Sequence, residues 1–364
     1  MSLLKDLYSP AFYNGFADVL AQTLPAFNKR AFIKRIYQPD FEAKELKERM
    51  KHTTAVLHTF LPADYEKAVT LIDQIIQALK KAGYGEALEF IFLPDYLATY
   101  GLEHYTASVK ALESVTQFIT CEFAVRPFLI RYGDKMMQQM LKWSVHKHAK
   151  VRRLASEGSR PRLPWAMAVP FLKKDPTPVL PILENLKQDP SESVRRSVAN
   201  NLNDIAKDHP AIVIGIATKW KGLSKETDAI IKHGCRTLLK QGSKEILAHY
   251  GLKSTHVAFR DYKILTPKVN TGDSLEFSFT IRNTDTQAQT IRLEYAVYYL
   301  KQNGTLSKKV FKISEKTYAA GEQVTVIRKQ SFRLITTRVF YPGKHQLSVI
   351  INGAEQPAKY FELI

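Results

Sequence analysis

The sequence predicts two unlike folds in series: an all-α run of stacked helices, then a small all-β sandwich. Three observations carry this. Apolar residues recur at three- and four-residue steps up to about residue 253, as in Val69, Ile72, Ile75, Ile76 and Leu79. From about Ser254 the period switches to two: Leu275, Phe277, Phe279 and Ile281 alternate with Glu276, Ser278, Thr280 and Arg282. Inside the helical part a phrase recurs, Val151-Arg152-Arg153 returning as Val194-Arg195-Arg196. The expected division is therefore residues 1–253 and 254–364.

The helical spacing predicts helices over 42–60, 65–82, 102–118, 135–143, 178–187 and 193–207. Leu61-Pro62, Gly83-Tyr84-Gly85, Asp189-Pro190 and His209-Pro210 separate them. Ile231-Lys232-His233 extends the repeat, so the spacing is roughly 40 residues, which fits HEAT-type helix pairs. In the middle copy Val194, Val198 and Leu202 fall on one helical face, while Arg195 and Arg196 turn elsewhere. The fold class is then an all-α HEAT-like-repeat solenoid followed by an Ig-like sandwich. The sandwich rests on seven short alternating segments, at 263–265, 275–282, 291–300, 310–314, 324–332, 345–352 and 360–363. Asn270-Thr271-Gly272-Asp273, Asn303-Gly304, Ala320-Gly321 and Asn352-Gly353 supply turns, and Tyr341-Pro342-Gly343 marks the corner into a late strand.

Composition narrows the function. At 364 residues, 45% hydrophobic and 24% charged, the chain is long enough for two cores and too apolar for wholesale disorder. Two cysteines, Cys121 and Cys235, exclude a disulfide framework. The first thirty residues hold Lys5 and Asp6 and are broken by Pro10 and Pro25, unlike a secretory h-region. The apolar stretch 211–217 is far too short for a bilayer. A soluble protein of a reducing compartment is expected, with no membrane partner.

The net charge of +18 is segregated: residues 1–100 balance 12 Lys/Arg against 12 Asp/Glu, so the whole surplus lies beyond them. A segregated cationic surface suits phosphate, and double-stranded DNA is the expected partner. In the sandwich, Lys308, Lys309, Lys312, Lys316, Arg328, Lys329, Arg333, Arg338 and Lys344 supply the excess. They are expected to add phosphate contacts by closing over the duplex from the side opposite the solenoid.

No Walker loop, dinucleotide fingerprint, H-E-x-x-H or G-x-S-x-G occurs. His146 and His148 are two apart and read as surface residues, so no metal and no cofactor is expected. The segment that stands out runs from Val151 to Ala166, where Arg152, Arg153, Arg160 and Arg162 surround Glu157 and lead to Trp165. Arginine suits phosphate forks, and tryptophan offers a flat face to a base or a cation. Two accounts of Glu157 remain open: pairing with its own arginines, or chemistry. Trp165 read alone points to core packing, and Asp204 to a solvated helix face. Trp143 and the aromatics of 88–100 read as inter-helix packing.

Arg152-Arg153-Leu154-Ala155-Ser156-Glu157-Gly158, then Arg160-Pro161-Arg162-Leu163-Pro164-Trp165, resembles the signature of the AlkC group of bacterial DNA alkylation-repair glycosylases. The stretch from Ser193 through Asn203-Asp204 to Lys207 is similar to the second signature of that group. AlkC belongs with AlkD in a superfamily of HEAT-like-repeat glycosylases, and one form of AlkC carries a C-terminal Ig-like domain. The resemblance implies base excision repair by hydrolysis of the N-glycosidic bond of cationic N3-alkylated bases, 3-methyladenine first and 3-methylcytosine second. It implies a catalytic set of Asp204, Glu157, Glu122 and Trp165, with Glu122 the weakest match. Arg152, Arg153, Arg160, Arg162, Arg195 and Arg196 become the DNA-binding set. A monofunctional, monomeric, cytoplasmic and nucleoid-associated bacterial enzyme with no obligate protein partner follows. Two other classes stay open on the residues alone: a non-catalytic HEAT-repeat DNA-binding protein, and a protein–protein scaffold.

Overall fold

The structure, a computed structural model, describes residues 3–335 and 338–364. Packing divides the chain into two compact units. One comprises Met1–Val213 and Lys219–Gly234; the other comprises Ile214–Thr218 and Cys235–Ile364.

The first unit is helical throughout. Each of the predicted helices is present: Leu46–His58, Tyr65–Lys81, Tyr105–Val115, Val125–Trp143, Leu180–Leu186 and Glu192–Ile205. Their starts are chemically marked. Asp64 accepts the backbone N–H of Lys67 at 2.9 Å, and His148 Nδ1 accepts that of Lys150 at 3.2 Å, opening helix Ala149–Gly158. Val125–Trp143 bends at Gly133, whose φ of 46° interrupts the helix just before the segment expected from Lys135.

The repeated phrases occupy three helices packed side by side, Ala149–Gly158, Glu192–Ile205 and Lys225–Gly234. Val151, Val194, Val198 and Leu202 are fully buried between neighbours, so the apolar face is the stacking face. Polar stitches reinforce it: Ser197 Oγ meets Ser156 Oγ at 2.9 Å, and Asn201 Nδ2 donates to the Ser156 carbonyl at 2.8 Å. Trp143 is core, as are Phe90, Phe92 and Tyr96, and both cysteines are buried. No helix among the described residues is long and apolar enough to cross a membrane.

The second unit is a sandwich. Strands β1 (Val257–Ile264), β3 (Ser274–Asn283) and β6 (Gln323–Ser331) form one sheet in the order β1-β3-β6. The other sheet runs β2 (Lys268–Val269), β9 (Lys359–Leu363), β7 (Gly343–Ile351), β4 (Gln289–Leu300) and β5 (Leu306–Tyr318), with β8 (Ala354–Glu355) paired to β7. Leu275, Phe277, Phe279 and Ile281 are buried as the alternation requires, packed with Leu293, Leu347 and Val349. β7 starts at Gly343, at the expected corner.

Two features depart from the sequence reading. The helices Arg236–Gln241 and Lys244–His249 belong with the sandwich, so the division expected at 253/254 falls inside the second unit. The cause is a close backbone approach: a Cβ on Gly353 would lie 2.4 Å from the Leu247 side chain and 3.2 Å from the Gly242 Cα. The second is burial on both faces of β4. Arg292 and Glu294 are almost wholly buried there, paired at 2.6 Å, with Glu315 on the other guanidinium nitrogen at 2.9 Å.

Candidate active site

The site grows out of the end of helix Ala149–Gly158 and the loop that follows. The helix stops where Ser159 Oγ turns back onto the Ala155 carbonyl at 2.6 Å. Gly158 is required there, since a Cβ would stand 2.5 Å from the Val125 side chain. The loop from Ser159 to Val169 closes on itself through Val169 N–H to the Pro161 carbonyl, 3.2 Å.

Arg126, fully buried, fixes both ends of this loop. Its guanidinium donates to the carbonyls of Gly158 (3.0 Å), Arg160 (2.8 Å), Pro161 (3.4 Å) and Met167 (2.5 Å). Burial, and then the neighbouring Arg160, push its pKa down to about 10. Sequence reasoning missed this residue. Its partners are backbone carbonyls, which leave no mark in a pattern of side chains.

At the loop tip Trp165 is 59% exposed, with φ +68°. The core-packing account of Trp165 is therefore overturned. A bulky residue in the left-handed region is strained by about 1–2 kcal/mol. The Lys47 ammonium grips its carbonyl from helix Leu46–His58.

Below the tip lies a cleft of about 400 Å³, whose walls include Glu122, Phe123, Glu157, Arg160 and Trp165. Glu157 is buried and bonded to Arg160 Nη1 at 2.6 Å. The opposite edge of the same guanidinium holds Asp204, with Nε and Nη2 both 2.7 Å from its Oδ2. Lys207 takes the other Asp204 oxygen at 2.9 Å. Asp204 is 2% exposed and is not part of the cleft wall. The solvated-face account of Asp204 fails for that reason. Glu122 faces the cleft and is held by Arg153 at 2.6 Å and by Thr120 at 2.8 Å.

Desolvation alone would lower the pKa of Arg160, but Glu157 and Asp204 outweigh it and hold the guanidinium above its ordinary value. The same contest at Arg153 is decided by Glu122 and Glu157. Three acids, Glu122, Glu157 and Asp204, thus interleave with three buried or half-buried arginines, Arg126, Arg153 and Arg160. A cationic, flat group entering under Trp165 meets carboxylates in a place where solvent screening is weak.

The six arginines expected on DNA divide into two groups. Arg160 is committed to two carboxylates, and reaching a phosphate would strip both of their counter-charge; it is a clamp rather than a surface contact. Arg152 is likewise spent: it pairs with Asp189 through two nitrogens, at 2.5 and 3.0 Å, and donates to the carbonyls of His146 and Lys147. Arg153 serves Glu122. Arg195 donates to the carbonyls of Asp189 and Pro190 at 2.7 and 2.8 Å. It lines, with Arg196, a groove of about 330 Å³ between helices Glu192–Ile205 and Lys225–Gly234. Arg196 is exposed and pairs with the exposed Glu192. Arg162 is half-buried and pairs with Asp208, whose hydrogen bond to it holds the Asp208 carboxyl below the usual range.

Comparisons with known proteins agree with the two-part fold. Residues 258–364 match the family described as "Uncharacterised protein YhaZ, C-terminal Ig-like domain", and residues 179–209 match the HEAT repeat. The chain is similar to the uncharacterized protein YhaZ of Bacillus subtilis (strain 168), at 44% identity over the full length of both. It is similar to the Pseudomonas fluorescens alkylpurine DNA glycosylase AlkC, solved bound to DNA containing an abasic site analog. That likeness has a TM-score of 0.93 at 34% identity and covers all of both chains.

Proposed function

The chain belongs to the AlkC family, in the form that ends in an Ig-like domain, and from that premise we propose that it is a DNA glycosylase of base excision repair. Its substrate in this reading is duplex DNA carrying a cationic N3-alkylated base, 3-methyladenine before 3-methylcytosine. It acts as a monomer in the bacterial cytoplasm, on the nucleoid. The observation that carries the reading is the single guanidinium of Arg160 bridging Glu157 and Asp204, at the edge of a cleft roofed by the exposed Trp165.

The chemistry asks little of a proton donor. An N3-alkyl base already carries positive charge, so it departs with the bonding electron pair as a neutral molecule. What the barrier requires is stabilisation of the oxocarbenium-like sugar and a placed water. Carboxylates of low solvent exposure supply the first by electrostatics and the second as hydrogen-bond acceptors. Trp165 holds the cation through its π face, an interaction of about 0.5–2 kcal/mol. Arg160 keeps the two acids in register, and Arg153 does the same for Glu122. The basic groups of the Ig-like domain and the exposed Arg196 bind phosphate.

The test is base release from duplex DNA containing 3-methyladenine under single-turnover conditions, with Asp204→Asn, Glu157→Gln and Glu122→Gln beside the native chain. Release by the native chain that collapses in one or more of these variants, while DNA binding persists, is the expected result. Tight DNA binding without release by the native chain would leave a non-catalytic DNA-binding protein.

A further inference from the structure

The indole of Trp165 belongs to two cavities of opposite chemistry. The first is the carboxylate cleft. The second, of about 280 Å³, lies against helix Leu46–His58 and shares Ile91, Phe123 and Trp165 with the first. Leu46, Met50, Pro94 and Met167 make the rest of it largely apolar, with the lysines Lys47 and Lys51 also in the wall. One acid, Asp95, stands in its wall; burial pushes its carboxyl up, and its Oδ2 accepts the Thr54 hydroxyl at 2.7 Å.

We infer that this second cavity is a product site, which takes the released base, a neutral planar purine, after the glycosidic bond breaks. The inference rests on the proposed glycosylase reading. The change of charge during that reaction gives it direction. Before cleavage the alkylated base is a cation, and the wall with Glu122 and Glu157 favours it. On cleavage the C1′–N bond breaks, its electron pair stays on the base, water bonds to C1′ and the water's proton goes to a carboxylate or to solvent. The base is now neutral and loses its attraction to the acids. A neutral heterocycle gains by leaving a charged, hydrated surface for an apolar one, and that surface is the other face of the same partition. The volume stands near the lower bound of small-ligand sites, about 300 Å³, which suits a single heterocycle. Asp95 offers a polar edge for the exocyclic amine or a ring nitrogen.

Equilibrium dialysis of free 3-methyladenine against the full chain tests this. The native chain and Glu157→Gln are expected to bind it within about twofold of each other, and Met50→Trp, which fills the cavity, to weaken binding about tenfold. Single-turnover release from DNA should be unchanged in Met50→Trp, since Met50 is not in the wall of the cleft that holds Glu122 and Glu157. Leu46→Gln is the second variant, at a half-buried position that tolerates a polar side chain; it too should weaken free-base binding. No binding by the native chain would overturn the proposal. So would binding lost in Glu157→Gln but kept in Met50→Trp and Leu46→Gln, which puts the base among the carboxylates. Base release from alkylated DNA is read separately, so failure of the glycosylase reading shows as absent release whatever the dialysis gives.

Discussion

Glu157 and Asp204 are held by one guanidinium, although they come from different helices of successive repeats. Arg160 donates to Glu157 from one edge and to Asp204 from another, all at 2.6–2.7 Å. The two acids therefore cannot move independently, and neither can be altered without leaving the arginine partly unpaired.

A substitution at Arg160 separates geometry from charge. Lysine keeps the charge but reaches only one acid at a time, so Arg160→Lys should lower base release about a hundredfold with DNA affinity nearly intact. Arg160→Met strips the buried Glu157 of its ion-pair partner and leaves Asp204 to Lys207 alone, and should cost about 3–5 kcal/mol in thermal or denaturant unfolding. A large loss of DNA affinity in Arg160→Lys, with release preserved, would return this residue to phosphate binding.

Trp165 should behave as a residue kept for function at the expense of backbone comfort. Trp165→Gly relieves the strain of φ +68° and is expected to leave the melting temperature unchanged or raised. Its single-turnover rate should fall by up to about thirtyfold, the equivalent of about 2 kcal/mol of lost cation–π attraction. A marked drop in melting temperature would show that the indole is packing after all.

Salt dependence distinguishes arginines that meet DNA from those that hold the fold. Arg196→Ala should flatten the slope of log affinity against log salt by about 0.9, one phosphate contact. Arg152→Ala should leave the slope alone and destabilise the chain by about 3 kcal/mol, because Asp189 is buried behind it. Lys316→Gln and Arg328→Gln, both exposed on the sandwich, should each flatten the slope if that domain binds phosphate.

The sandwich carries its own pH dependence at His345. The ring is fully buried against Phe361; Nδ1 accepts the Leu300 N–H at 3.2 Å, so Nε2 carries the hydrogen donated to the Tyr341 carbonyl at 2.9 Å. Burial holds its pKa below the ordinary histidine value. The unfolded chain then takes up the proton first as pH falls. Stability contributed by the neutral ring is full above about pH 6.5 and declines as pH drops below it. Unfolding followed from pH 7.5 to 5 should show this decline in the native chain and a flatter profile in His345→Gln.

Much of the fold was legible because periodicity reports which face is buried. The 3.6-residue stripe of Val194, Val198 and Leu202 and the alternation of Leu275 to Ile281 each found the predicted partner face. Periodicity does not say which neighbour covers an apolar face, and so the helices at 236–249 read as more solenoid when they are part of the sandwich. The acids at 157 and 204 were legible through the motifs around them. The task of Arg160 was not, because arginine forks onto a carboxylate as readily as onto a phosphate, and only burial separates the two. Trp165 misled for the converse reason: large apolar residues are usually inside, and nothing local announces that a loop anchored by the distant Arg126 will hold one outside.

The paired glycines at 242 and 353 bear on how such a domain could be exchanged between proteins. Their contact locks Leu247 and the short helix around it onto the turn between β7 and β8. A graft of the strands alone would arrive without Gly242 and Leu247, leaving Gly353 uncovered. A transferable cassette must include the helices from Cys235 onward, and a hybrid that carries them inherits its own lid.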